Sequence, residues 1–146
     1  MPDKRTIIVD LDGTLADIGH RRHHVEEQPK DWQSFFESMT LDPINSWCRT
    51  LMLAMHKEGF RIALVSSRPD SYERAIREWL MKYSVPYQSL HLRREKDLRP
   101  DDTVKREILH REFKKEEILF VVDDRESVVK MWRREGLVCL QCNPDA

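Results

Sequence analysis

The segment Ile7-Ile8-Val9-Asp10-Leu11-Asp12-Gly13-Thr14-Leu15 constrains this chain more than any other. Three β-rich apolar residues in a row describe a strand buried on both faces, as in a parallel sheet. The run ends abruptly in two carboxylates, and Gly13 lets the backbone turn away at once. Both acids therefore belong at the carboxyl end of a strand, the edge at which open α/β sheets bind ligands. The turn at Gly13 can bring both acids to one centre. A carboxylate that attacks phosphorus needs a second acid to protonate the leaving oxygen and a divalent cation to offset charge. The competing reading is a helix cap or turn former.

The rest of the chain alternates strand and helix. Asp17 to Asp42 reads as a polar insertion or lid with one short helical stripe of Trp32, Phe35, Phe36 and Met39, whose spacing predicts core packing. Pro43 opens a helix with Ile44, Trp47, Cys48, Leu51 and Met55 on its core face, ending at Gly59. Strands are predicted at 61–65, 90–92, 118–122 and 137–140, and further helices at 70–83, 104–113 and 126–135. Residues 93–102 read as a charged loop and the tail 143–146 as frayed. This alternation predicts an α/β fold of one domain over residues 1–146, a central parallel sheet with helices on both faces and right-handed crossovers.

Three strand ends carry polar clusters on one edge: Asp10 with Asp12, Ser66 with Arg68, and Asp123 with Asp124. Four neighbouring carboxylates repel unless a cation sits among them, and hard oxygen ligands favour magnesium. Ser66, Ser67 and their backbone could hold phosphate oxygens, and Lys105 would complement the negative charge of a transferred group.

These residues resemble the haloacid dehalogenase-like (HAD) phosphohydrolases, whose motifs Asp-x-Asp-Gly-Thr, strand-end Ser or Thr, Lys or Arg, and late acidic pair appear here in order. The resemblance implies a three-layer Rossmann-like fold with a minimal cap at 17–42. It makes Asp10 the nucleophile, Asp12 the general acid and base, and Lys105 the third catalytic residue. Asp10, Asp12 through its carbonyl, Asp123 and Asp124 would hold Mg2+. A closer likeness, to the 3'-phosphatase domain of bacteriophage polynucleotide kinase/phosphatase, runs through Val9 to Ala16, Asp101-Asp102-Thr103-Val104-Lys105 and Asp123-Asp124-Arg125-x-x-Val128-Val129-x-Met131-Trp132-Arg133-Arg134. It implies a substrate-binding set of Thr14, Arg21, Ser66, Ser67, Arg68 and Arg94. It also implies removal of 3'-phosphate from nucleic-acid ends, alongside a separate kinase or ligase. The four glycines form no Gly-x-x-x-x-Gly-Lys loop, so 5'-phosphorylation is not expected of these residues. A phosphatase of free nucleoside monophosphates and a non-catalytic end-binding module remain the alternatives.

Bulk properties set the outer limits. The 146 residues suffice for one core, no apolar run approaches a membrane span, and a formal net charge of -1 confines any nucleic-acid affinity to local patches. A charged N-terminus leading directly into a strand leaves no room for a signal peptide, and three cysteines without a paired framework fit a reducing compartment, so a cytoplasmic location is expected. Cys139-x-x-Cys142 lacks a second ligand pair and reads as structural. His20, His23 and His24 read as exposed loop residues, Arg22 and Arg93 as surface charge, and Arg125 as a partner for neighbouring acids.

Overall fold

A computed structural model describes residues 3–143. Five parallel strands form one sheet in the order β3-β2-β1-β4-β5, with β1 Thr6–Val9, β2 Arg61–Pro69, β3 Ser89–Arg93, β4 Ile118–Asp123 and β5 Cys139–Gln141. The chain builds outward from β1 to β2 and β3, then returns to add β4 and β5 on the other side. β1 therefore sits at the point where the order reverses, flanked by the two strands that also end in polar clusters.

The two-residue period of the strands divides the core. Ile7 and Val9 join Ile62 and Leu64 under Cys48, Met52, Ile76, Trp79 and Leu80, which lie on α3 (Ser46–Lys57) and α4 (Glu73–Lys82). Ile8 joins Ala63, Val65 and Val121 on the other face, beneath α5 (Asp101–Glu112) and α6 (Glu126–Arg134). Helices cover both faces, as the alternation predicts.

Several boundaries differ from the sequence expectation. α3 buries Cys48 and Met52 and leaves Trp47 44% exposed, because the stripe it turns inward is one step further round the helix than the Trp47-centred one. α5 begins at Asp101, three residues earlier than expected. Pro100 at its N-cap fixes the incoming φ at -56, and Asp101 and Asp102 suit the positive end of the helix. The tail expected at residues 144–146 lies outside the described residues.

Between β1 and α3 the chain forms only short helices: Gly19–Arg21, α1 (His23–Glu26), α2 (Trp32–Glu37) and Ser38–Leu41. The Asp31 carboxylate caps α2 by accepting from the Ser34 N–H at 3.0 Å. Phe35 and Met39 are buried as predicted and Phe36 is half-buried, but Trp32 is 48% exposed. With six residues, α2 is too short to press its whole stripe onto the core, and its first residue stays at the rim.

Candidate active site

The turn after β1 is tight. Thr14 and Ala16 N–H groups return to the Leu11 carbonyl, and the Asn45 amide holds the Thr14 carbonyl at 2.8 Å. Gly13 has φ +81, and a Cβ there would come within 2.1 Å of Asp124 Oδ2. Glycine thus serves both the left-handed backbone and the close approach of the late acidic pair.

Asp10 lies at the buried centre. Lys105 on α5 donates to Asp10 Oδ1 at 2.8 Å and to Asp123 Oδ2 at 2.9 Å, joining residues 95 and 18 positions away from it. Thr14 Oγ1 donates to Asp10 Oδ2 at 3.0 Å, and the Trp132 indole donates to Asp123 Oδ2 at 3.0 Å. Carboxylate oxygens of Asp10, Asp123 and Asp124 lie within 4.8 Å of one another. Burial pushes the Asp10 carboxyl well above the ordinary range, Asp123 adds to this, and Lys105 opposes it. Burial and Asp123 likewise raise Asp124, while burial lowers Lys105 but Asp10 and Asp123 outweigh it and raise it. Three carboxylates facing one ammonium leave an excess of negative charge, and three hard oxygens converging at this spacing fit a divalent cation such as magnesium.

Asp12 faces different company. Its Oδ1 accepts from Arg68 Nε at 2.9 Å, Arg68 Nη2 at 2.5 Å and Arg21 Nη2 at 2.7 Å. Burial alone would raise this carboxyl, but Arg68 and Arg21 together bring it down to about 2. Both arginines are themselves buried and share a second carboxylate, the fully buried Asp42. It accepts from Arg21 Nε and Nη2 at 2.8 Å and from Arg68 Nη2 at 3.2 Å. Arg21 rests on the Phe35 ring at 4.3 Å and donates to the Phe35 carbonyl, so α2 positions it. The Asp12 carboxylate is not part of the three-acid cluster.

The sequence matches the family described as the polynucleotide kinase PNKP phosphatase domain over residues 4–146. The chain belongs to that family. It is a HAD-type phosphatase domain related to the PNKP phosphatase, and HAD phosphatases hydrolyse phosphoric monoesters. Among solved structures, the Pnkp1/Rnl/Hen1 complex contains a chain 29% identical with a TM-score of 0.82, matched over 96% of this chain and 46% of that one. The Pnkp1/Rnl/Hen1 RNA repair complex gives 29% identity and a TM-score of 0.81 over 94% of this chain and 42% of that one. This chain thus spans a little under half of those relatives. A HAD family enzyme from Bacteroides thetaiotaomicron, solved with magnesium and inorganic phosphate, shares the fold at 14% identity and a TM-score of 0.60, over 94% and 93% of the two chains.

Within this PNKP-type phosphatase domain, the remaining expected residues divide. Ser66 is buried and its Oγ accepts from the Arg68 N–H at 3.1 Å. The Ser67 Oγ is buried with no partner among the described residues. The Thr14 hydroxyl is spent on Asp10. Arg94 is exposed and has no hydrogen bond to the cluster among the described residues, whereas its neighbour Arg93 donates to the Ser67 carbonyl at 2.9 Å and to Asp101 Oδ1 at 2.6 Å. Arg93, expected as surface charge, is turned inward onto these partners, while Arg94 faces outward. Asp101 also receives Arg125, so the acid that Arg125 pairs with lies on α5 rather than next to it in sequence. From the sequence Asp101 enters only as part of a motif and Arg93 only as surface charge, and Asp42 is not singled out as a site residue. Asp42 stands before Pro43 and a helix, where it reads as a turn residue; its burial between two arginines appears only in three dimensions. A cleft of about 220 Å³ opens beside Gly13, lined by Asp17, Ile18, Arg22, Asn45 and Asn143.

Proposed function

We propose that this chain removes 3'-phosphates from polynucleotide ends through an aspartyl-phosphate intermediate. The observation that carries the reading is the division of the site: an Asp10 carboxylate held by Lys105 and Thr14 beside an acidic cluster, next to two buried arginines on Asp12. A terminal phosphate dianion is the ligand that suits both halves. An Asp10 oxygen forms the new bond to phosphorus as the bond to the 3'-oxygen breaks, and Asp12 gives that oxygen its proton. Water then attacks the same phosphorus, Asp12 takes the water's proton, and inorganic phosphate leaves as Asp10 is restored.

Arg21 and Arg68 serve the substrate and the acid together. In the free site they keep Asp12 ionised. A phosphate that engages the guanidinium groups competes with Asp12 for them, so Asp12 regains the capacity to carry a proton as substrate binds. Asp10, Asp123 and Asp124 with the Asp12 carbonyl would hold Mg2+, which supplies positive charge against the carboxylates and the phosphoryl oxygens.

The family match and the assembly of the 29%-identical relatives with Rnl and Hen1 support a polynucleotide substrate and work beside a separate ligase or kinase. Three free cysteines suit a reducing compartment such as the cytoplasm. No helix among the described residues is long and apolar enough to cross a membrane.

Phosphate release from a 3'-phosphorylated oligonucleotide, a 3'-mononucleotide and a 5'-mononucleotide, each with and without magnesium, tests the reading. The oligonucleotide is expected to turn over fastest, only with the metal, and Asp10→Asn is expected to abolish it. Preference for a mononucleotide, or unchanged turnover in Asp10→Asn, overturns the proposal.

A further inference from the structure

The exposed indole on the cap has no role in the chemistry described above. Trp32 is 48% exposed at the start of α2, and two routes tie it to the phosphate-facing arginines. Its ring meets Phe35 edge-on at 5.7 Å, and Phe35 is the ring on which Arg21 rests. It also stacks on Phe36 at 6.0 Å and 24°, and Phe36 packs on Tyr72 at 5.6 Å. Tyr72 lies in the turn Asp70–Tyr72 that follows β2, the strand bearing Arg68. Trp32 therefore touches the ring on which Arg21 rests, and a single ring, Phe36, separates it from Tyr72 in the turn after Arg68.

Charge continues along the same rim. The Lys30 ammonium lies 5.9 Å from the Trp32 ring. Beyond Tyr72, Asp70 Oδ1 accepts from the Glu95 N–H at 3.1 Å and fastens the loop after β3 to this side of the site. That loop carries exposed Arg94 and Lys96 on either side of Glu95. An aromatic surface with cations at either end is how proteins hold unpaired nucleic acid, because every base has a face to stack and every link has a phosphate. The cleft beside Gly13 is lined by no aromatic ring and offers no equivalent platform.

We propose that Trp32 is a stacking platform for a nucleobase of the strand whose 3'-phosphate occupies the site, and that the strand is unpaired over its last few nucleotides. The proposal rests on the polynucleotide reading above and specifies how the strand is gripped: base by stacking, backbone by Lys30 and the Arg94–Lys96 rim. It predicts a preference for single-stranded over blunt duplex ends, with little dependence on base identity.

The test compares kcat/KM of the full chain and of Trp32→Ala and Trp32→Phe on thymidine 3'-monophosphate, on 3'-phosphorylated thymidine oligomers of increasing length, and on the longest oligomer annealed to its complement. Thermal midpoints confirm that the half-exposed position tolerates the change. The ratio of oligomer to mononucleotide kcat/KM is expected to fall about tenfold in Trp32→Ala and to recover largely in Trp32→Phe. The length at which the effect sets in identifies the stacked base. An equal loss on mononucleotide and oligomer, no loss, or equal use of duplex and single strand overturns the platform while leaving the phosphatase reading intact. No release from any 3'-phosphate overturns both.

Discussion

Asp10 and Asp12 are separated by a single residue, yet they occupy electrostatically opposite settings. Around Asp10, three carboxylates face one ammonium, and the Asp10 carboxyl is pushed up. Around Asp12, two guanidinium groups face two carboxylates, and the Asp12 carboxyl is brought down to about 2. Both acids lie past the end of β1, in the tight turn at Gly13, and that turn produces this split: Asp10 meets Lys105 on α5, and Asp12 meets Arg21 and Arg68. A site built this way has one half that recruits positive charge and another whose positive charge is already balanced and can be exchanged for a phosphate. Environments that drive two neighbouring carboxyls apart are the usual means of assigning them different tasks in one reaction.

The largest effect that could break this comparison is catalytic. Asp10→Asn is expected to lower phosphate release by at least about 10³-fold, and Asp12→Asn by about 10² to 10⁴-fold, both read as kcat on a 3'-phosphorylated oligonucleotide. Comparable activity in either variant removes the division of labour. Next is the balanced half. Asp42→Ala leaves two buried guanidinium groups with only Asp12 between them and is expected to cost about 3 to 5 kcal/mol in a denaturant titration. A loss below about 1 kcal/mol would mean that Asp42 does not hold the pair.

Metal comes third. Magnesium at 100 times its dissociation constant is expected to stabilise the folded chain by about 2.7 kcal/mol, and Asp124→Asn to weaken that gain, both measured by thermal unfolding. An unchanged midpoint with magnesium would show that the acidic half does not recruit the cation. Acid sensitivity is smaller still. The folded Asp12 carboxyl lies below its unfolded value, so its contribution is complete above about pH 4 and is lost as pH falls through about 2. A stability component of about 2 kcal/mol should vanish over that window and be missing from Asp12→Asn. The smallest effect has the opposite sign: Asp10→Asn without metal relieves repulsion and is expected to stabilise by about 1 kcal/mol, whereas Asp12→Asn destabilises.

The sheet and the acidic half were legible because their signals are local. Each of β1, β2 and β4 is an apolar run with a polar terminus, and parallel order brings those termini together without further information. The balanced half was legible only in part. Arg21 and Arg68 came through the resemblance, but Asp42 depends on where the cap closes, and a buried carboxylate in a polar segment looks like any turn acid. Arg93 and Arg94 are adjacent cations at the end of β3, and sequence carries little to say which one turns inward. The i, i+3, i+4, i+7 stripe of α2 was correct in period and wrong in depth at Trp32, since a helix of six residues packs one end more closely than the other.

The hydrogen bond from Trp132 to Asp123 has a consequence for observing this molecule at work. A fully buried indole in the core beneath α6 shares the oxygen that Lys105 also holds. Any ion that draws Asp123 toward itself must lengthen or reorient that contact, and the emission of a sequestered tryptophan responds to such a change. Occupancy of the site is thus expected to register in the Trp132 share of the emission, which Trp132→Phe separates from that of Trp32, Trp47 and Trp79.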